Sequence, residues 1–388
     1  MNVFDAKGCT ALPGLIDMHC HICEPGYEQR EDIRSASAAA ARGGFTSITC
    51  MPVTKPVVDN KTEVNYILTR SQEISSINIY PYGSLTLGGN GEKLSDIGEM
   101  VKAGIRAVVN NGDKTESAVL LRNALTYSRM FDVPLITICN DSSLSDGGVI
   151  NKGAMSVRIG LKGIPYEAEE TIVARNIILA GHTNARVHIA MVSTRGSVEL
   201  IRTAKRNGIN VTCDTCPHYF ILTEDAVDSY NTYAKVMPPL RTLCDAEALI
   251  EGLADGTIDA VSSGHMPDTA ESKKVEFDRA SFGVSALETA FAAAYTALVT
   301  DNVLSVEDLA GKMSENPAKI LQMSKKGRLD VGYDGDIVIV NTDAENIVDA
   351  SAFVSKAKYS PLDGKKMKCR IEATFVGGNI VYNRDIRL

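Results

Sequence analysis

Eight short apolar runs, each followed by an Ala-rich or amphipathic stretch, constrain this chain more than any other feature. The runs are Ala11–His19, Phe45–Met51, Ile77–Leu85, Ile105–Asn110, Pro134–Asn140, Arg186–Ser193, Asn210–Cys216 and Ile258–Ser263. Between them, Asp32–Arg42, Glu63–Ile74, Ala118–Met130, Glu167–Ala180 and Ser197–Arg206 carry helical spacing. A strand followed by a helix, repeated eight times, implies parallel strands joined by crossover helices. The fold class is therefore α/β, and the economical arrangement is a closed TIM (β/α)8 barrel with its site at the C-terminal ends of the strands. A doubly wound open sheet is the structural alternative.

A barrel needs roughly 250 residues, and 388 leave room for a second unit. The reading is a residual N-terminal β segment at 1–12, the barrel at 13–320 and a small C-terminal β unit at 321–388. Ser281–Thr300 and Ser305–Met313 are read as further helices, whereas Gly327–Asn341 and Ile371–Tyr382 read as short strands with Gly turns. With so short a segment before the barrel, the β unit is expected to be incomplete or completed by a partner. Net charge is -8, and no block of Lys and Arg stands out, which argues against nucleic acid or an anionic membrane as partner. The opening MNVFDAKGCT lacks a signal-peptide layout, and the nine cysteines are odd in number and scattered. A cytoplasmic protein with reduced thiols is expected.

His19 and His21 close the first run. Two residues apart on a strand, they point to the same side, and at a barrel rim that side is the mouth. Their context, PGLIDMHCHICEPG followed by ARGGFTSITCMPVTKPV, is similar to the opening of bacterial dihydroorotases of the amidohydrolase superfamily. GIPYEAEE, RVHIAMVSTRGSVELI, PPLRT, ALIEGLADGTIDAV, NPAKIL and GRLDVGYDGDIVIV extend the resemblance, in order, to the C-terminus. The resemblance implies reversible hydrolysis of the cyclic amide of dihydroorotate in pyrimidine synthesis, at a site with one or two zinc ions. Such a metal brings bound water from a pKa of about 15.7 to about 7 and needs three protein ligands and an open position.

Position by position, the residues implied by the resemblance are replaced. His19 and His21 match the first two ligands. Asn110 and Asn111 stand where the family has Asp-Asp, one of whose carboxylates bridges the metals. Ile138 stands at a His ligand, and Met191 at another His in His-Ile-Ala-His-Val-Ser. Gly264 stands at the Asp that is both ligand and proton-transfer group. At the substrate positions, Cys23 replaces an Arg, Val53 and Met237 replace Asn residues, and Asp268 replaces a His, adding a charge that would repel an anionic substrate. Loss of a general base alone costs about 10²–10⁴-fold. A thioether suits zinc poorly beside imidazoles.

The expectation is thus a dihydroorotase-like chain that is catalytically defective, with no cofactor or at most one weakly held zinc. Asn111, His265, Asp268 and Cys23 are the candidate third ligands; otherwise the two imidazoles donate hydrogen bonds inside the mouth. The resemblance further implies a structural role beside aspartate carbamoyltransferase, in a homo- or hetero-oligomer. The alternative is a metal-dependent cyclic amidohydrolase, acting on dihydroorotate or a related amide or imide through a rearranged mononuclear site. Cys213-x-x-Cys216 with His218 lacks a second ligand pair and is read as simple thiols. His188 is read as a satisfied core histidine, and Gly43–Gly44 and Gly147–Gly148 as turns.

Overall fold

The computed structural model describes residues 4–112 and 116–385. Barrel strands alternate with helices along the chain, as the apolar runs require. After β1 (Thr10–Pro13) come β2 (Leu15–Cys20), β3 (Phe45–Cys50), β4 (Asn78–Pro81), β5 (Gly83–Ser84), β6 (Val108–Asn110) and β7 (Leu135–Ile138). A two-stranded ribbon of β8 (Ile150–Asn151) and β9 (Gly163–Ile164) precedes β10 (Val187–Ala190), β11 (Val211–Thr215) and β12 (Ala260–Val261). All barrel pairings are parallel: β2, β3 and β4 form one group, and β5, β6, β7, β10, β11 and β12 the other. Tyr82 bridges the groups: its N–H bonds Cys50 O at 3.0 Å, and the next N–H, of Gly83, bonds Ala107 O at 3.0 Å. The ring closes where Cys20 pairs in parallel with His265 and the His21 N–H donates to His265 O at 2.9 Å.

Strands buried on both faces read as unbroken apolar runs, and every residue of β2 and β3 is buried. The helices start at sequence-encoded caps. Asp32 and Ser35 form a capping box ahead of Ile33–Arg42, Asn60 caps Lys61–Ile74, Ser117 caps Ala118–Arg129 and Thr194 caps Arg195–Arg206. The last of these buries Val198, Ile201 and Ala204 on one stripe. No helix among the described residues is long and apolar enough to cross a membrane.

Three expectations need correction. The run Ala11–His19 is two strands, broken at Pro13-Gly14. Its first part, β1, leaves the barrel and pairs antiparallel with β13 (Ile337–Ile347), opening the four-stranded sheet β1–β13–β14–β15, with β14 at Lys366–Val376 and β15 at Asn379–Asn383. The N-terminal segment is therefore a working strand of the terminal sheet. Ser281–Thr300 is helical only from Ala290, as Ala290–Ala294 and a wider turn Tyr295–Val299, because Val284 and Ala286 spend their backbone groups on Met266 and His265. Finally, 327–336 is turn and coil, and strand begins only at Ile337.

The turn before β3 holds barrel and sheet together. Gly44 has φ +87°, and a Cβ there would lie 2.9 Å from Val338 Cγ2 and 3.0 Å from Ile371 Cδ1, both from the terminal sheet. Gly44→Ala combines left-handed strain with overpacking and should cost about 1–3 kcal/mol. A urea titration should show the lowered midpoint; an unchanged midpoint would mean the two units are not packed through this turn.

Candidate functional site

The C-terminal ends of β2, β10, β11 and β12 bring five of the chain's six histidines into or beside the barrel mouth: His19, His21, His188, His218 and His265. His19 and His21 stack at 5.4 Å between ring centroids, tilted by 58°. Burial drives the His19 pKa down to about 4, against an opposing pull from Asp214, and takes His218 down to about 3 and His21 well below its ordinary value. These imidazoles are neutral at physiological pH.

The acceptors around them are already committed. Asp214, on β11, accepts the Met191 N–H at 2.6 Å and the Ser262 hydroxyl at 2.6 Å, and lies 3.3 Å from His188 Nε2. Burial raises its pKa, but His188 and these hydrogen bonds outweigh burial and hold it below the usual carboxylate range. His188 Nδ1 shares a hydrogen bond with Thr212 Oγ1 at 2.9 Å, whereas its Nε2 makes none, so this core histidine is satisfied on one side of the ring. Asp17, on β2, accepts the Ser263 N–H at 2.7 Å and its hydroxyl; burial still pushes Asp17 up to about 6. His265 is not a spare ligand. Its Nδ1 accepts the Ala286 N–H at 3.1 Å, which leaves the proton on Nε2, 3.4 Å from Glu31. Glu31 also accepts hydrogen bonds from the Ser35 and Ser355 hydroxyls.

The positions at which the resemblance implied other residues lie at the ends of barrel strands and in the loops after them. Ile138 and Met191 are buried at the ends of β7 and β10, and Met191 has φ +56°. Asn110 donates to Glu116 at 2.6 Å, whose other oxygen meets Arg175 at 2.6 Å. Asn111 is half-buried beside it. Gly264 has φ +65°, and a Cβ there would fall 2.7 Å from Cys216 Sγ and 2.8 Å from His218 Cε1. The space a carboxylate would occupy is thus taken by a thiol and an imidazole. Cys213 faces elsewhere, with Sγ 3.3 Å from Thr257 O, so Cys213 and Cys216 do not converge as a pair on one ligand.

Asp268 departs from the sequence expectation. It lies 3.4 Å from the Arg30 guanidinium, and its N–H donates to the Tyr359 hydroxyl at 3.0 Å. Its charge is balanced, so the expected repulsion of an anion is much reduced. Cys23 is buried next to this pair, its pKa pushed up to about 12 by burial and by Glu31. Val53 and Met237 are half-buried and offer no polar group. Nδ1 of His19 is buried without a hydrogen-bond partner. Nε2 of His188 and Nε2 of His265 are likewise buried without one.

Whether the residues fit a zinc pair follows from the donor set. No three His, Cys, Asp or Glu side chains among the described residues are grouped to hold a metal. The two histidines lack the carboxylates that would offset two dications, and the thiols nearby are held protonated by burial. A binuclear zinc centre does not fit, and one metal on His19 and His21 would lack a third strong ligand.

Sequence reading missed Glu31, Asp214 and Arg30. Glu31 and Asp214 matter through partners on other strands and loops, which no local string displays; an acid within an apolar run, as in VTCDTC, was the available signal for Asp214.

Comparison with known proteins places these features. Residues 8–197 match the family described as dihydro-orotase-like, and residues 278–382 match the amidohydrolase family. A dihydroorotase of Acetivibrio thermocellus is 48% identical over 387 residues, spanning 100% of this chain and 91% of that protein. A dihydroorotase of a Thermoanaerobacter species is 46% identical over 383 residues, covering 99% and 88%. Among solved structures, the L-hydantoinase (dihydropyrimidinase) of Arthrobacter aurescens superposes with a TM-score of 0.90 at 27% identity, covering 99% of this chain and 88% of that one.

Restoring the missing carboxylate alone should fail. Gly264→Asp meets Cys216 and His218 in a left-handed conformation, so it should cost about 1–3 kcal/mol and should not raise bound zinc in metal analysis after dialysis. One equivalent of zinc retained by this variant would show that the neighbouring side chains yield.

Proposed function

The chain belongs to the dihydroorotase family, and from that membership we propose that its barrel does not hydrolyse dihydroorotate unaided and acts in pyrimidine synthesis as a structural partner of aspartate carbamoyltransferase in the cytoplasm. One observation carries this reading: the general-base position is Gly264, with Cys216 and His218 packed where a carboxylate would project. Proton transfer to and from the ring amide needs a group within about 3 Å of the reacting atoms with a pKa near the working pH. The buried acids Asp214, Asp17 and Glu31 are each held by hydrogen bonds to the scaffold, and Asp268 is paired with Arg30. Neutral His19 and His21 offer nitrogen ligands but no charge to steady a dication. The substrate positions agree: Cys23, Val53 and Met237 provide no guanidinium or amide for a carboxylate.

A barrel without that carboxylate keeps its fold and its surface, and those are what a partner would use. Zinc-supplemented protein should turn over dihydroorotate at least about 10²-fold more slowly than the related dihydroorotases. The tagged chain should co-purify with aspartate carbamoyltransferase and alter the size of its assembly. Absence of any association would remove the partner role.

The relatives named above favour a second reading, in which the chain is itself a cyclic amidohydrolase with a rearranged mononuclear site. The unpartnered His19 Nδ1 supports it. Stoichiometric zinc together with brisk ring opening, lost in His19→Ala, would establish this reading over the first.

A further inference from the structure

We propose that the open edge of β15, with the groove beside it, binds an extended acidic segment of a partner protein as an added strand. β15 is the last strand of the four-stranded sheet and pairs only with β14 among the described residues. Residues Ile380–Asn383 of β15 and Arg34, Ser37, Ala38 and Arg42 of helix Ile33–Arg42 line one groove of about 1020 Å³. Ile74, Ile380 and Tyr382 give the groove apolar surface, and Arg34, Arg42 and Arg384 give it charge, with no carboxylate among the lining residues. In a chain of net charge -8 this concentration of guanidinium groups runs against the whole.

The three arginines are not equally spent. Arg42 is anchored by Glu288 at 3.0 Å. Arg384 shares the Glu372 carboxylate with Arg370, which holds it more closely, at 2.7 Å against 3.8 Å. Arg34 is exposed and makes no ion pair among the described residues. The local surplus is therefore positive and faces the unpaired strand. Strand addition would draw affinity from main-chain hydrogen bonds and specificity from alternate side chains, and opposite charge would steer approach and register. The bulge at Val381, between the pairs Phe375–Ile380 and Thr374–Tyr382, marks where the edge twists. Charged residues on an edge can instead serve only to prevent unwanted pairing, and the experiment separates the two roles.

This inference stands apart from the reading of the barrel mouth, since no residue of the mouth lines the groove. The probe is a capped octapeptide alternating Glu and Val, with a Lys/Val octapeptide as control. The acidic peptide should bind the full-length protein with an affinity that falls as salt rises, and it should slow amide exchange at Ile380–Asn383. Arg34→Glu combined with Arg384→Glu should weaken it by about tenfold or more, while thermal melting confirms that the variant folds. Val381→Pro should weaken it independently through the backbone. Equal binding of the Lys/Val peptide, or unaltered binding by the charge-reversed variant, would overturn the proposal. So would exchange that is already slow, in the protein alone, at the β15 amides not bonded to β14, or concentration-dependent dimerisation lost on charge reversal, which would assign the edge to a second copy.

Discussion

The closure between the first and last barrel strands is the constraint on which the rest of the molecule depends. It is made by few groups. Asp17 on β2 accepts both the N–H and the hydroxyl of Ser263, and the His21 N–H reaches His265 O. A buried carboxylate left unpaired would cost several kcal/mol, so each such group must be met by donors from the facing strand. That requirement fixes the register of Cys20 against His265. Burial still pushes Asp17 up to about 6, a sign that its hydrogen bonds only partly offset the loss of water.

The same logic runs around the rim. Asp214 ties the Met191 backbone to Ser262, Glu31 joins His265 to Ser35 and Ser355, and Glu169 accepts hydrogen bonds from Ser193 while lying 3.7 Å from Arg241. Each carboxylate links segments far apart in the chain. Among the described residues, these acids are tied into the scaffold by hydrogen bonds and ion pairs. Asn111, Ile138, Met191 and Gly264 bring no negative charge to the mouth. Scaffold and reaction chemistry are separable here because different acids serve them.

Much of this was legible in the sequence. Apolar runs bounded by turns gave the barrel strands because strands buried on both faces have no polar period to hide them. The His19–His21 pair was legible because period two puts both rings on one side. What the sequence could not display was contact across the ring. Glu31 follows the first barrel strand and His265 the last, and Asp268 is balanced by Arg30; neither pairing follows from local spacing. Element edges failed for local reasons. Pro13-Gly14 divides one apolar run between two sheets. Residues 281–289 look helical by composition, yet their backbone groups serve the mouth.

Close similarity over the whole chain and a replaced site are compatible on physical grounds. A barrel of this size is held by its core and by the rim network, and most of its residues contribute to packing. Identity of 48% with a dihydroorotase therefore reports mainly on that packing. The reaction rests on a handful of side chains that bury little apolar area, and exchanging them for Ile138, Met191 and Cys23 increases apolar burial at the mouth. Apolar replacement of desolvated charges is often neutral or stabilising. An apolar mouth therefore carries no fold penalty, and the integrity of the scaffold by itself says nothing of the chemistry at its rim.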